Sequence, residues 1–367
     1  MKKIGVLTLF NYKNYGNRLQ AYALMQVLQK MKCKPVEVSY CKKRDFTYLV
    51  ESCKTKKLLL IPIFLIFKIL REKNLNVAIR QSKRLSLFLN FGRKMKNKVI
   101  LSDSNRFDYY ICGSDQIWNP DFAGEACFFA DFASEEKRIS YAASFGVSDL
   151  LPNYVDRYKK LLSGMSCISV RENEGAQIVK QLIGKDVPVL IDPTLMLDQN
   201  EWKAVARKPE TEIPDNYVLV YFLGYVSSET KSFIDTTAQK NNLKVIILNE
   251  LIDEKYWNIT GPAEFIWLIE NASLVCTDSF HASVFSILLQ TPFIAFHRCD
   301  DIKDMHSRLE NLLDKFNLTD RFFENIKEDE MLKCDYSGVS EKLTLEREKA
   351  MSFLTDSLNL INRKDEK

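Results

Sequence analysis

Histidine is scarce in this chain, with three residues among 367. His281, His297 and His306 lack paired cysteine or histidine ligands at the spacings that zinc sites use. The nine cysteines are scattered and contain no C-x-x-C pair, and an odd number in a chain of this length argues against a disulfide framework. We therefore expect no metal site, no cofactor, and free thiols in a reducing compartment.

Long hydrophobic runs are also missing. The longest, "LLLIPIFLIFKIL" at 58–70, has 13 residues and contains Lys68, so it is too short to span a bilayer. The N-terminal "MKKIGVLTLF" has no small-residue cleavage site and predicts a first strand rather than a signal peptide. These features predict a cytoplasmic protein without a membrane-spanning helix.

The composition is that of a globular protein, with 46% hydrophobic, 27% charged and 11% aromatic residues. Its net charge of +4 conceals an asymmetry, because residues 42–98 contain 16 Lys or Arg against 3 Asp or Glu, a balance of 16 − 3 = +13. This basic segment also contains the apolar run at 58–70. The combination predicts docking on an anionic membrane surface, with a helix packed on the first domain as the structural alternative. No aromatic-rich reading motif accompanies the charge, so we expect no nucleic-acid partner.

Strands and helices alternate along most of the chain. A strand at 3–10, a helix at 19–31 and a strand at 34–40 form one βαβ unit, which is typical of an open parallel sheet. After the basic segment, strands are predicted at 107–113, 138–144, 167–171 and 187–193, and the pattern restarts at 217–224. We predict an α/β fold with two domains, at 1–197 (including the excursion at about 42–98) and 198–345, followed by a helix and tail at 346–367.

In open α/β sheets, ligands bind beyond the carboxyl ends of the strands. Polar residues follow the first strand in "NYKNYGN", where Gly16 permits a left-handed backbone or close ligand approach and the next helix offers free N–H groups to an anion. The candidate binding residues here are Asn11, Asn14, Gly16 and Asn17. An ordinary turn with an asparagine cap is the structural alternative.

Two further strand ends carry polar residues. "ICGSDQIWNP" places Ser114, Asp115 and Gln116 after a strand, with an Asx-turn beside a core tryptophan as the alternative. "SVREN" places Arg171 at a strand end, where its guanidinium suits a carboxylate or phosphate. A helix-capping ion pair between Arg171 and a nearby glutamate is the alternative there.

The fourth strand end is "LVCTDSFHASVF", in which Ser279 is an N-cap residue type and His281 falls in the first helical turn. A helix N-terminus disfavours the protonated ring, so the imidazole is ready to take a proton. A histidine bonded to a neighbouring carbonyl is the structural alternative.

Eight stretches together carry a resemblance to a known family. They occur in the order "NYGNRLQAYAL", "ICGSDQIWN", "RISYAASFG", "SVREN", "DPTLML", "GPAEFIWLIENA", "TDSFHASVF" and "PFIAF". In order and approximate spacing, the chain from Lys3 to Arg321 resembles the polysaccharide pyruvyl transferase family. That resemblance implies two Rossmann-like domains facing a cleft, a glycosyltransferase-B-like arrangement, with a C-terminal helix that can cross back to the first domain.

The resemblance also implies a reaction. Characterised members transfer the carbon skeleton of phosphoenolpyruvate to a sugar, usually as a pyruvate ketal bridging two hydroxyls of one residue. Arg171 and the residues at 14–17 are then expected to bind the donor, and His281 to act as general base or as phosphate-binding acid, with Asp115 as a second candidate for proton transfer. The expected acceptor is a sugar or lipid-linked glycan, at the inner face of the plasma membrane.

One departure from the family pattern affects the phosphate site. Some members carry an arginine where this chain has Ser279, and many have glycine where it has Ala282. Arg298 and Arg308 are the candidate substitutes for the missing cation.

Two other functions remain open from the sequence. A glycosyltransferase that uses a nucleotide sugar would fit the same architecture, with Glu264 at a helix start binding the ribose. The second is a non-catalytic protein that holds a glycan lipid at the membrane. Such a protein would be expected to lack the polar residues of the cleft.

Overall fold

The structure is a computed structural model that describes residues 1–9, 14–39, 75–95, 98–100, 106–121, 125–249, 254–298 and 307–360. Asn11 and the apolar run at 58–70 lie outside the described residues. Among the helices that are described, none is long and apolar enough to cross a membrane.

The first domain is built on a parallel sheet of five strands in the order β3-β2-β1-β4-β5. The strands are short apolar runs, typical of a sheet covered on both faces. Their bounds are β1 Lys3–Leu7, β2 Lys34–Ser39, β3 Lys98–Ile100, β4 Tyr109–Cys112 and β5 Arg138–Ser140. The helices are α1 Tyr15–Lys30, α2 Leu75–Gly92, α3 Pro152–Ser163 and α4 Asn173–Ile183.

Two strands predicted in this domain, at 167–171 and 187–193, do not form as regular strands. Only single parallel bridges occur there, joining Ile139 to Cys167, Ala143 to Val170, and Val170 to Val189. The chain still runs parallel to β5, so residues 171 and 192 reach the same edge of the sheet as the ends of β1 and β4.

Helix α1 begins earlier than the sequence pattern predicts. Asn14 has an extended backbone at the N-cap and its side chain accepts the Asn17 N–H at 3.2 Å, so the helix begins at Tyr15 rather than Leu19. Gly16 and Asn17 therefore lie in the first helical turn and not in a loop.

The second domain is a four-stranded parallel sheet in the order β7-β6-β8-β9. Its strands are β6 Tyr217–Tyr221, β7 Lys244–Ile247, β8 Leu274–Thr277 and β9 Phe293–Ala295. The helices are α5 Gln199–Lys203 between the two sheets, then α6 Ser228–Lys240, α7 Glu254–Trp257, α8 Pro262–Glu270, α9 Phe280–Leu289 and α10 Ser307–Lys315.

The last helix, α11 at Val339–Ser357, returns to the first domain. Arg347 donates to the carbonyls of Leu195 and Leu197 at 2.7 Å each, and Asn359 Nδ2 donates to the Tyr109 hydroxyl at 2.9 Å. The predicted crossing of the C-terminal helix is thus confirmed. The predicted domain boundaries at 197 and 345 stay predictions. Val189 is the last residue paired with the first sheet and Tyr217 begins the second, so the first boundary lies somewhere between these two residues.

The fold agrees with the predicted pair of Rossmann-like domains facing a cleft. The carboxyl ends of both sheets point to the same region, where Asp192 of the first domain lies 3.6 Å from His281 of the second.

Candidate active site

Asp192 is the centre of the polar cluster between the two sheets. Its Oδ2 accepts from Ser114 Oγ at 2.6 Å and from Arg171 Nη1 at 2.8 Å, and lies 3.6 Å from His281 Nε2. Its Oδ1 accepts from the backbone N–H and the hydroxyl of Thr194 at 3.0 and 2.7 Å. The carboxylate is fully enclosed and connects three loops of the first domain to one histidine of the second.

The charge of Asp192 is set by these neighbours. Burial by itself raises the pKa of a carboxyl group, because it removes the charged form from water. His281, Arg171 and Ser114 act in the opposite direction and prevail, so the pKa of Asp192 lies well below its usual range. Asp192 is therefore a carboxylate at neutral pH.

Arg171 lies beside Asp192, and only some of its N–H groups form hydrogen bonds. Its guanidinium stacks over Phe280 at 4.4 Å from the ring centroid, and its side chain is 2% exposed. Glu172 Oε2 and Asp115 Oδ1 lie at 3.9 and 4.0 Å, beyond hydrogen-bond distance. Within the described part of the chain, Arg171 Nε and Nη2 have no hydrogen-bond partner. A buried guanidinium with unbonded N–H groups is suited to bind an anionic ligand.

The strand-end loop after β4 is held by Asp115. This residue has φ of 75°, a left-handed conformation that is uncommon for a residue other than glycine. Its Oδ1 accepts the Gln116 N–H at 2.8 Å, and its Oδ2 accepts from Asn17 Nδ2. An Asx-turn would need the Asp115 side chain to accept the Ile117 N–H, which instead donates to the Asp115 backbone carbonyl at 2.8 Å, so the turn considered from the sequence does not form. The bond to Asn17 brings Asp115 into contact with the first turn of α1.

His281 lies in the first turn of α9, as predicted, and its side chain is 10% exposed. Its Nε2 faces Asp192. Its other ring nitrogen, Nδ1, lies against Gly16: a Cβ added to Gly16 would stand 2.1 Å from Nδ1 and 2.5 Å from Cγ. Glycine is thus required at position 16 by the close approach of the imidazole, and not by a left-handed backbone.

Arg308 and Arg298 complete the cationic part of the cluster. In the amide orientation that satisfies both groups, the Gln116 oxygen accepts from Arg308 Nε at 3.1 Å and from Nη1 at 2.8 Å. Burial lowers the pKa of Arg308 to about 10, with the neighbouring cations Arg171 and Arg298 adding to the shift and Glu172 and Asp115 opposing it. Arg171 and Arg298 are therefore each close enough to Arg308 to disfavour its charge.

Asp278 fixes Arg298 at the rim of the second sheet. Arg298 Nε lies 3.4 Å from Asp278 Oδ2. The same carboxylate accepts the N–H groups of Leu223 and Gly224 at 2.7 and 2.8 Å. Burial raises the pKa of Asp278, although Arg298 and the two N–H groups oppose the rise.

The remaining predicted residues have local roles. Ser279 caps α9 by accepting the Ala282 N–H at 3.4 Å, and Asn14 caps α1. Glu264 is occupied elsewhere, since it accepts the Gly261 N–H at 2.9 Å and pairs with Arg207. The structure therefore brings together Asn17, Ser114, Asp115, Gln116, Arg171, His281, Arg298 and Arg308, and leaves Glu264 outside this group.

Two residues of the cluster were not singled out from the sequence. Asp192 follows the run "VPVLI", so the strand-end rule that identified Asp115 and Arg171 would have found it. Glu172 was considered only as a partner for Arg171, yet its Oε1 accepts the N–H groups of Phe145 and Gly146 at 2.8 and 3.3 Å. Its role is to close the loop after β5 onto the site.

The described residues contain no group of three or more His, Cys, Asp or Glu that could hold a metal ion. The side chains that form the cluster are arginines, carboxylates, one imidazole, and the polar groups of Ser114, Asn17 and Gln116.

Comparison with known proteins identifies the family. The sequence model of the polysaccharide pyruvyl transferase family matches residues 14–300, which is most of the chain, and the protein belongs to this family. It is accordingly a transferase, and pyruvyl transfer to a polysaccharide is the activity after which its family is named. No curated protein matches the chain.

Several solved structures are distantly similar. An uncharacterised protein from Klebsiella pneumoniae is 15% identical with a TM-score of 0.37, covering 65% of this chain and 85% of its own. A UDP-N-acetylglucosamine 2-epimerase candidate from Listeria monocytogenes is 10% identical with a TM-score of 0.42, covering 99% and 98%. The UDP-N-acetylglucosamine 2-epimerase from Rickettsia bellii is 10% identical with a TM-score of 0.37, covering 100% and 99%. At these values they carry no argument about function.

Proposed function

We propose that this enzyme transfers the pyruvyl group of phosphoenolpyruvate to two hydroxyls of one sugar residue, forming a ketal. The acceptor is a cell-surface polysaccharide or its lipid-linked precursor. The observation that carries the proposal is the buried Arg171, whose Nε and Nη2 have no hydrogen-bond partner among the described residues, together with the nearby cations Arg298 and Arg308. A bound dianion would relieve the repulsion among these cations.

Phosphoenolpyruvate offers two anionic groups for this cluster. Its carboxylate or one phosphate oxygen can accept from the unbonded Nε and Nη2 of Arg171. Arg308 and Arg298 approach from the second domain and can bind the other anionic group. They supply the cation that Ser279 does not.

The reaction requires three linked events. A sugar hydroxyl adds to C2 of the enol phosphate and loses its proton to a base, while C3 accepts a proton from an acid and becomes the methyl group. The C2–O bond to phosphate then breaks, and the bond electrons leave with the phosphate. A second hydroxyl of the same sugar adds to C2, and its proton leaves with the phosphate or with a base on the enzyme. The products are the ketal and inorganic phosphate.

His281 is placed to move one of these protons. Asp192 lies opposite Nε2 at 3.6 Å and is held as a carboxylate, so it favours the tautomer with the proton on Nε2. Because Gly16 lies against Nδ1, both roles proposed from the sequence stay open for His281, general base or phosphate-binding acid. Asp115 is the second candidate group, and such a transfer contributes about 10²–10⁴ in rate.

The test is acceptor-dependent release of phosphate. Purified enzyme is incubated with phosphoenolpyruvate and a panel of glycosides that carry neighbouring free hydroxyls, and the ketal methyl group is detected by NMR. Binding of phosphoenolpyruvate and of nucleotide sugars is measured in parallel by calorimetry. Binding of a nucleotide sugar, without binding of phosphoenolpyruvate, would overturn the proposal.

The nucleotide-sugar alternative depends on Glu264. That carboxylate is engaged with Gly261 and Arg207, so it has no free oxygen facing the cluster for a ribose. A purely glycan-holding protein would not need a buried, incompletely bonded arginine beside a histidine–aspartate pair. Both observations favour the transferase that uses phosphoenolpyruvate.

We also propose that the enzyme acts at the inner face of the plasma membrane, from the sequence of the basic segment. Lys54, Lys56 and Lys57 precede the apolar run at 58–70, and each basic residue near anionic headgroups contributes about 1 kcal/mol. Flotation with liposomes should require anionic lipid, weaken with salt, and fall when Phe64, Ile66 and Phe67 become serine. A folded protein that does not float with anionic vesicles would contradict the docking proposal.

A further inference from the structure

The first turn of α1 contacts three parts of the molecule through three consecutive residues. Tyr15 is fully buried and stacks on Phe265 of the second domain, with ring centroids 4.4 Å apart and planes 10° from parallel. Gly16 lies directly against the His281 ring. Asn17 donates to Asp115. A displacement of this turn would move the surface on which the imidazole rests.

Arg84, on α2, holds Tyr15 from outside the polar cluster. Its Nη1 donates to the Tyr15 hydroxyl at 2.7 Å and to the carbonyls of Trp257 and Thr260 at 2.9 and 2.6 Å. Its guanidinium also stacks over Trp257 at 3.6 Å from the ring centroid. One side chain of the first domain thus binds two carbonyls of the second domain and the residue next to Gly16.

We infer that Arg84 and Tyr15 are positioning residues, which fix the first turn of α1 against His281 and set the place of the imidazole relative to Asp192. The physical basis is the tight contact at Gly16, where the ring has no room to move toward α1. Loss of the anchor releases the turn, and the ring gains space on its Nδ1 side. An error of about 1 Å in a catalytic group can reduce the rate by as much as 10²-fold.

The expected effect on kcat rests on the proposed function, whereas the expected effect on the position of the His281 ring does not. The chain has only three histidines, so the His281 ring signals can be assigned by NMR through their loss in His281→Asn. If the wild-type enzyme releases no phosphate from phosphoenolpyruvate, the proposed function fails and the ring signals still test the positioning.

The test is Arg84→Met, which keeps the apolar stem and removes the donors. We expect the His281 ring signals to shift and kcat to fall at least about tenfold, while KM for phosphoenolpyruvate changes less than about twofold. The matched control is Lys83→Met on the same helix, which removes an exposed ion pair to Glu210 at 3.3 Å and should leave both readouts unchanged.

Should Arg84→Met fail to fold, Tyr15→Phe replaces it, because this change deletes a single oxygen and keeps the stacked ring. The His281 signals should still shift, and kcat should fall about threefold for the loss of one buried hydrogen bond. A folded variant at either position with unchanged ring signals and unchanged kcat would overturn the inference.

Discussion

Arg171 and Arg321 are both buried, and they differ in what their N–H groups bind. Arg321 is 1% exposed and donates through all three nitrogens to backbone carbonyls of Phe293, Glu330, Met331 and Lys333. Arg171 forms one close ion pair, to Asp192, and its Nε and Nη2 have no hydrogen-bond partner among the described residues.

This difference separates a structural arginine from one that is ready for a ligand. Arg321 fastens the segment at 330–333 onto β9, and all of its bonding capacity is used within the fold. Arg171 is held in place by a carboxylate and an aromatic ring, with part of its bonding capacity left for an anion. Burial alone therefore does not distinguish these two arginines, but the partners of their N–H groups do.

Asp192→Asn removes the carboxylate that compensates the buried charge of Arg171. The variant should be less stable by about 3 kcal/mol at pH 7, because a buried cation loses its charged partner. Since the pKa of Asp192 is lowered in the folded protein, its contribution is present above the ordinary carboxyl pKa of about 4 and is lost as the pH falls.

Urea unfolding at pH 7, 5 and 3.5 (about the ordinary carboxyl pKa) measures this effect. The difference in unfolding free energy between wild type and variant should narrow toward the lowest pH. Asp186→Asn is the control, because Asp186 forms an exposed pair with Lys180 at 2.8 Å. A difference that stays constant with pH would show that the charge of Asp192 does not stabilise the fold.

His281→Asn tests the imidazole on the second domain's side of the cluster. The transfer rate should fall at least about a hundredfold with the fold intact, because the residue is proposed to move a proton. His297→Asn is the control, since His297 lies near Glu310 and Glu324 on the surface and should leave the rate unchanged. Phosphate release under saturating substrate is the measurement, and near-wild-type turnover would remove His281 from the mechanism.

Arg171→Lys sharpens the comparison most directly. A point charge replaces the planar fork, so affinity for phosphoenolpyruvate should fall about tenfold while the unfolding temperature changes little. The equivalent Arg321→Lys should do the opposite, lowering the unfolding free energy by about 2 kcal/mol with donor affinity unchanged. Calorimetry measures the affinity of both variants for phosphoenolpyruvate, and thermal unfolding measures their stability. Equal effects at the two positions would contradict the distinction between a ligand-binding and a structural arginine.

Glu264→Gln should have the smallest effect. The amide can still accept the Gly261 N–H, and the ion pair to the half-exposed Arg207 contributes at most about 1 kcal/mol. Turnover with phosphoenolpyruvate should change less than about twofold. A large loss of activity would place Glu264 in the substrate site and would favour the alternative function, a glycosyltransferase that uses a nucleotide sugar.

The strand-end rule predicted most of the cluster from the sequence. Arg171, Asp115 and His281 were placed correctly at the edge where the parallel strands end. The prediction of regular strands was wrong at 167–171 and 187–193, because single bridges replace the ladder that the hydrophobic pattern predicts. The polar residues after these two segments still lie at the same edge of the sheet. The start of α1 was placed too late, because its first turn contains the buried polar residue Asn17 and a glycine, neither of which fits an amphipathic pattern.

The sequence by itself determined most of the alternation of strands and helices, the family, and which residue types stand at the strand ends. These follow from local periodicity and from residues close together in the chain. Only the tertiary structure decided that Asp192 joins Arg171 to His281, that Arg308 lies near Arg171 although 137 residues separate them, and that Gly16 lies against the imidazole. The physical reason is that charge pairing and close packing depend on distance in space, which is set when the two sheets bring their carboxyl ends together.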